Sequence, residues 1–145
     1  HLNVMKAAES KYCKCMYFSS HAMSRKIEKL ANEAWKKVEL SPSHAYLLML
    51  VLDEPGIQPG SITKQLQLTP STITRLIEKL EEKKLVVRTA EGKTTNVYAT
   101  PKGKQMLPQL QGCLKNFYER YSTILGKEES ARMVQQMNMI TDKLK

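Results

Sequence analysis

The sequence has little of what hydrolases and metalloenzymes use. Its three histidines, His1, His21 and His44, are scattered. No glycine-rich phosphate loop, His-Glu-x-x-His pair or Gly-x-Ser-x-Gly elbow occurs, nor a close acid pair with a base beside it. No enzymatic activity is expected, and no metal or cofactor. No run of about eighteen apolar residues free of charge occurs, which excludes a membrane-spanning helix. No charged-then-apolar leader opens the chain, and the residues ahead of Met5 carry no weight. The three cysteines, Cys13, Cys15 and Cys113, are an odd number without a regular framework. Such usage points to a reducing compartment, so a cytoplasmic location is expected. Acid is also scarce: 14 Asp and Glu against 23 Lys and Arg leave a net charge of +9. That surplus favours a polyanionic partner, nucleic acid first and an anionic membrane second.

What is present is helical patterning over a length of 145 residues, enough for one compact domain. Between residues 7 and 38 there is neither proline nor glycine. Tyr12, Met16, Met23, Ile27, Leu30, Ala34 and Val38 recur there at roughly helical spacing. The spacing predicts one long first helix, longer than a single small core can cover. Its lysines alternate with glutamates, so it does not read as a membrane-surface helix. Ser41-Pro42 then gives an N-cap followed by proline at the first helical position, and residues 44–52 are nearly all apolar. Pro59-Gly60 opens a short third helix with Ile62 and Leu66 inward.

Thr69-Pro70-Ser71-Thr72 repeats the cap-then-proline start. Behind it Ile73, Leu76, Ile77 and Leu80 stand at i, i+3, i+4 and i+7, while Ser71, Thr72, Thr74, Arg75, Glu78 and Lys79 take the opposite face. With the tight Gln67-Leu68 turn, this predicts a helix-turn-helix. Leu85-Val86-Val87-Arg88 and residues 95–99 are β-prone around a turn at Ala90-Glu91-Gly92-Lys93, which predicts a hairpin wing. Thr100-Pro101 caps a further helix bearing Met106, Leu107, Leu110, Leu114, Phe117, Tyr121 and Leu125, with Pro108 inside it predicting a kink. After Gly126, the stripe Met133, Met137, Ile140 and Leu144 marks a last helix. The expected fold class is mainly α with a small β-wing: a winged helix-turn-helix lobe plus a helical region built from the N- and C-terminal helices. No internal repeat or low-complexity segment is present.

This order resembles the MarR family of transcription regulators over essentially the whole chain. The run from Leu68 through Thr69, Pro70, Ser71, Thr72, Ile73, Thr74, Arg75, Leu76, Ile77, Glu78 and Lys79 to Leu80 looks like the family's recognition helix. Leu85-Val86-Val87-Arg88 resembles its first wing strand, and Thr100-Pro101-Lys102-Gly103 the threonine-x-x-glycine that opens its fifth helix. Two departures stand out. Gln67 occupies a turn where the family commonly has glycine, so a left-handed residue there carries some strain. The wing tip reads Glu91-Gly92-Lys93 where aspartate-x-arginine is usual; Lys93 reaches a narrow minor groove without the planar guanidinium of arginine.

The resemblance implies a sequence-specific, double-stranded DNA-binding transcription regulator, acting as a repressor. It implies a homodimer in which the first and last two helices interlock, and stripes this extensive exceed what a monomer can bury. The implied division is a dimerisation helix at 1–40, the DNA-binding lobe at 41–100 and dimerisation helices at 101–145. Two recognition helices about 34–36 Å apart would read a pseudo-palindromic operator. Ser71, Thr72 and Thr74 suit phosphates and base edges, Arg75 a guanine edge, and Lys64, Lys79 and Arg88 phosphates, with Lys93 in the wing. DNA release by a small aromatic or phenolic effector is implied as well.

Two alternatives stay open. One is a thiol-based peroxide sensor of the same fold. On a continuous first helix Cys13, Tyr17 and His21 share a face, and a cysteine and tyrosine four apart resemble that branch of the family. Cys13 and Cys15, by contrast, would point about 200° apart on a helix and so could not easily share a zinc. The other alternative is a winged-helix protein or RNA interaction module. Trp35, His44, Tyr46, Cys113 and the methionines read as core or interface, some of them lining an effector cleft.

Overall fold

The computed structural model describes residues 5–145; residues 1–4 of the expected N-terminal unit lie outside them. The caps act as expected. Ser41 is the N-cap of a helix α2 at Pro42–Asp53, its hydroxyl accepting from the His44 amide, and Pro42 stands in the first turn. A helix α3 spans Pro59–Leu66, again led by proline. The next helix, α4, spans Pro70–Glu82, with the Thr69 hydroxyl accepting from the Thr72 amide. Each cap satisfies an amide that the helix itself leaves orphaned.

The first helix is shorter than the spacing predicts. Helix α1 covers only Met16–Trp35; Ala7–Glu9 and Lys36–Val38 are single 3-10 turns. Residues 10–14 form turns, closed by Cys13 N–H to Ser10 O and Cys15 N–H to Tyr12 O. Two causes act together. The Ser10 hydroxyl accepts from the Tyr12 amide at 3.1 Å, a local bond that competes with helix. Tyr12 and Met16 are also both two-thirds exposed, and Tyr12 meets only the Phe18 ring at 6.5 Å, so little offsets the cost of ordering another turn. Beyond α1 the chain turns at Glu39, which sits at φ 57°.

The wing is an antiparallel pair, β1 at Val86–Glu91 and β2 at Thr94–Ala99, in register from Val86↔Ala99 to Glu91↔Thr94. Pairing thus runs further than the expected four-residue turn and leaves Gly92-Lys93 as the loop. Gly92 supplies the positive φ (64°) that a two-residue hairpin needs at its first position. The segment between α2 and α3 adds a single bridge, Ile57↔Val97, on the other edge of β2.

After the wing the expected kink is a break. A short helix α5, Pro101–Gln105, ends at Met106, and α6 restarts at Leu107–Leu125 with Pro108 in its first turn. Proline has no N–H to continue α5 but is at home where the first amides are unpaired anyway. The last helix, α7, is Lys127–Lys143. The C-terminal part therefore has three helices rather than the two expected.

One core joins these elements. Leu47, Leu48 and Val51 of α2 lie among Ile62 of α3, Ile73, Ile77 and Leu80 of α4, Val86 and Val97 of the wing, and Leu110 of α6, all buried. Trp35, at the end of α1, is fully buried and meets Tyr46 and Phe117 with ring centroids 5.2 and 5.5 Å away. Cys113 is buried in the same core.

The Thr100–Gly103 motif pins the wing to α5. The Thr100 hydroxyl donates to Lys84 O at 2.7 Å and accepts from the Gly103 amide at 3.1 Å, while the Thr100 amide donates to Leu85 O. A Cβ on Gly103 would stand well inside van der Waals contact with the Leu85 carbonyl oxygen. Gly103→Ala should therefore lower stability by about 1–3 kcal/mol, read by chemical denaturation. A second expectation concerns His44, half-buried with its Nδ1 at 2.5 Å from the Ser41 hydroxyl oxygen. Burial, and then the charges of Lys79 and Lys83, hold its pKa below the ordinary 6.5. As pH falls through that ordinary value, the unfolded chain takes the proton first, so stability declines until the lowered folded value is passed. Between about pH 7.5 and about pH 5.5, His44→Gln should lose less stability than the wild type, measured as the shift in denaturation midpoint.

Candidate nucleic-acid interface

The face of α4 opposite Ile73, Ile77 and Leu80 is open to solvent and polar. Thr69-Pro70 fixes its start, and the turn before it places Gln67 at φ 55°, the left-handed conformation expected there. The Gln67 side-chain amide donates to Lys64 O at 2.8 Å, which closes the end of α3 and offsets part of the strain glycine would avoid.

On that face the side chains are not equally free. The Thr69 hydroxyl oxygen lies 2.9 Å from that of Thr72 and 3.3 Å from that of Ser71, so these hydroxyls form a cap cluster at the helix start. Thr74 donates its hydroxyl to Pro70 O at 3.0 Å. It can accept from a partner as it stands, but must rotate to donate. Arg75 is exposed and forms no ion pair among the described residues. Lys79 has Glu82 at 3.4 Å, with both side chains more than half exposed, a pairing that water and salt loosen. Lys64 is exposed on α3 beside this face.

Arg88 departs from the expected pattern. It meets Glu81 at 2.7 Å, with side chains about one-third exposed (36% and 30%). The pair ties β1 to the end of α4, so Arg88 braces the wing on the helix. Lys93 sits apart from the rest, at the exposed tip of the hairpin. The structure thus gathers Lys64, Ser71, Thr72, Thr74, Arg75 and Lys79 on the helix-turn-helix, sets Lys93 at the tip and engages Arg88 internally.

Cys13 and Tyr17 are not brought together by a shared helix. Cys13 lies in the turns before α1, so the i, i+4 relation expected of a continuous helix is not formed there, and Cys15 is the residue just before Met16. Tyr17 instead stacks on His21 with centroids 4.1 Å apart, and His21 Nδ1 lies 2.8 Å from Tyr17 O. Among the described residues no group of three His, Cys, Asp or Glu could hold a metal ion.

Sequence reading missed the partners that hold the wing. Glu81 was not singled out as the acid for Arg88. Nor was the cluster on one face of the hairpin, where Glu91 accepts from Tyr98 at 2.9 Å and from Asn96 at 3.0 Å. The available signal was the alternation Thr94, Asn96, Tyr98, which puts three polar side chains on the face of Glu91.

Residues 39–94, the span from the end of the first helical segment to the wing tip, match the MarR family. The HTH-type transcriptional repressor MdtR of Bacillus subtilis (strain 168) is 25% identical over 114 residues, covering 77% of this chain and 74% of that protein. Among solved structures, the transcriptional repressor CouR bound to p-coumaroyl-CoA superposes with a TM-score of 0.84 at 17% identity, over 94% of this chain and 98% of that one. The S. aureus MepR–DNA complex superposes with a TM-score of 0.76 at 19% identity, over 89% of this chain and 98% of that one. At such identities the superpositions speak for the fold, and the sequence match speaks for the lobe. Together with the cap-then-proline helix α4 and the two-stranded wing, they identify residues 39–94 as a winged helix-turn-helix lobe that matches the MarR family, within a fold shared with these regulators.

Proposed function

We propose that the chain is a homodimeric repressor that reads a pseudo-palindromic site in double-stranded DNA and is released from it by a small ligand. The observation that carries this reading is the solvent face of α4. It holds Arg75 without an internal acid, short hydroxyls at the helix N-terminus and Lys79 in a loose pair, and no large apolar side chain of α4 is exposed. A protein-docking surface would offer apolar anchors there. In a major groove, Arg75 takes a guanine edge, the N-terminal hydroxyls and helix dipole meet phosphate, and Lys64 and Lys79 add charge.

Dimerisation is supported by apolar surface that the chain leaves uncovered away from the lobe. Ile124 is 70% exposed, and Leu114, Tyr118, Val134, Met139 and Ile140 on α6 and α7 are exposed as well. A patch of this kind marks an interface. The division into dimerisation helices at 1–40 and 101–145 around a lobe at 41–100 follows from the same reading. Release is supported by a groove of about 540 Å³ between α1 and α6, and a second of about 280 Å³ at the junction with α4 and the wing. Both are lined by Lys37, Val38 and Gln109, so they adjoin where helices and lobe meet. Lys115 and Arg120 are paired there with Glu119 and Glu33, so Lys37 is the lining cation that suits an aromatic or phenolic ligand carrying a negative group.

Anisotropy titration against labelled promoter and scrambled duplexes tests the reading, with salt as the second variable. Affinity should fall with a log–log slope of about −0.9 per phosphate neutralised. Arg75→Ala should cost about 1–3 kcal/mol at the preferred site and relax discrimination, while Lys79→Ala should weaken all duplexes alike and flatten the slope by about one. Equal, weak binding to every duplex by folded protein would sink the regulator reading. Sedimentation should return twice the chain mass of 16.6 kDa, and Ile124→Glu should shift it towards the monomer.

A further inference from the structure

The wing tip places an acid two residues from its only basic side chain, an awkward neighbour for a loop meant to meet phosphate. Glu91 ends β1, and Lys93 follows across Gly92. The acid does not pair with that lysine. Its carboxylate is turned back along the hairpin, where Oε1 accepts from the Tyr98 hydroxyl at 2.9 Å and from Thr89 at 3.4 Å, and Oε2 accepts from Asn96 at 3.0 Å. The register explains why these groups can reach it. Thr89 pairs with Asn96 and Glu91 with Thr94, so Thr89, Glu91, Asn96 and Tyr98 all stand on one face of the hairpin. The Thr94 hydroxyl fixes the backbone at the same corner, donating to Glu91 O at 2.8 Å.

Tyr98 is itself anchored to the lobe. Its ring lies so close to Gly56 that a Cβ there would come within 2.9 Å of the hydroxyl oxygen. The Gly56 amide donates to Val97 O at 2.9 Å, which seats the α2–α3 segment against β2. The chain of contact therefore runs from the body of the lobe through Gly56 to the Tyr98 ring, and from its hydroxyl to the carboxylate near the tip.

We propose that Tyr98, with Asn96 and Thr89, is a positioning residue that holds the Glu91 carboxylate back so that the wing tip meets DNA as Lys93 alone. The inference rests on the DNA-binding reading above and adds a specific role to residues outside the recognition helix. A carboxylate released from these donors would either neutralise Lys93 or stand against the phosphates. At about 4 Å in water, one such charge contact is worth about five-fold in affinity.

The test uses a fluorescein-labelled random-sequence duplex of about 25 base pairs, since the wing's charge acts on any sequence. Full-length wild type, Tyr98→Phe, Glu91→Gln and the double variant are titrated across a range of salt. Phenylalanine keeps the ring on Gly56 and removes only the hydroxyl, and unfolding curves check that all four proteins are folded. Tyr98→Phe should bind about five-fold more weakly per wing, with a shallower salt slope. Glu91→Gln alone should change little, and the double variant should recover wild-type affinity and slope. Wild-type binding by Tyr98→Phe overturns the inference. A double variant as weak as Tyr98→Phe also overturns it, because the hydroxyl would then act through wing shape rather than through the acid. If the wild type binds no duplex even at low salt, the DNA-binding reading itself falls and takes this inference with it.

Discussion

Everything the recognition helix presents depends on how its other side is buried. Ile73, Ile77 and Leu80 lie in one core with Leu47, Leu48 and Val51 of α2, and each fully buried side chain of this size contributes about 1.5–3 kcal/mol. Rotating α4 by one residue, about 100°, would carry the stripe out of that core and the charged face into it. The burial therefore sets which side chains face outward, and the Thr69 cap sets where the helix begins. Arg75 is available because the residues behind it are not.

The same logic explains what was legible in the sequence. The helix-turn-helix was readable because two local codes agree there: a capping residue followed by proline, and an apolar stripe of period 3.6. The left-handed Gln67 was readable only through the resemblance, because the family commonly places glycine in that turn. The first helix was misjudged at its N-terminal end. Tyr12 continues the periodicity that Met16 carries into α1, but periodicity becomes helix only where enough surface is buried, and Tyr12 stays two-thirds exposed. Pro108 was read as a kink because position alone does not separate a bent helix from two abutting ones. Of the site, the α4 face was visible in advance; the engagement of Arg88 by Glu81 was not, since those residues meet only once the wing folds back on the helix.

The wing illustrates how a protein with a large cationic surplus still has to manage its few acids. Glu81 and Glu91 both lie within reach of the surface that would face a polyanion, and each has its own donors: Arg88 for the first, and Tyr98, Asn96 and Thr89 for the second. Net charge alone would suggest a diffuse attraction. The hydrogen bonds and the ion pair are more selective: Glu81 and Glu91 are engaged by their own donors, while Arg75 and Lys93 form no ion pair among the described residues.

Trp35 gives the molecule a built-in observer. It is the single tryptophan, and its ring sits where α1, α2 and α6 converge, against Tyr46 from one side and Phe117 from another. Its indole N–H has no hydrogen-bond partner among the described residues, so its surroundings are apolar aromatic faces rather than a fixed polar contact. Any tilt of the lobe relative to the long helices must slide these rings past one another, because close-packed aromatics have no free volume to absorb the displacement. A shift of α2 or α6 against α1 should therefore register in the ultraviolet emission of the unlabelled protein.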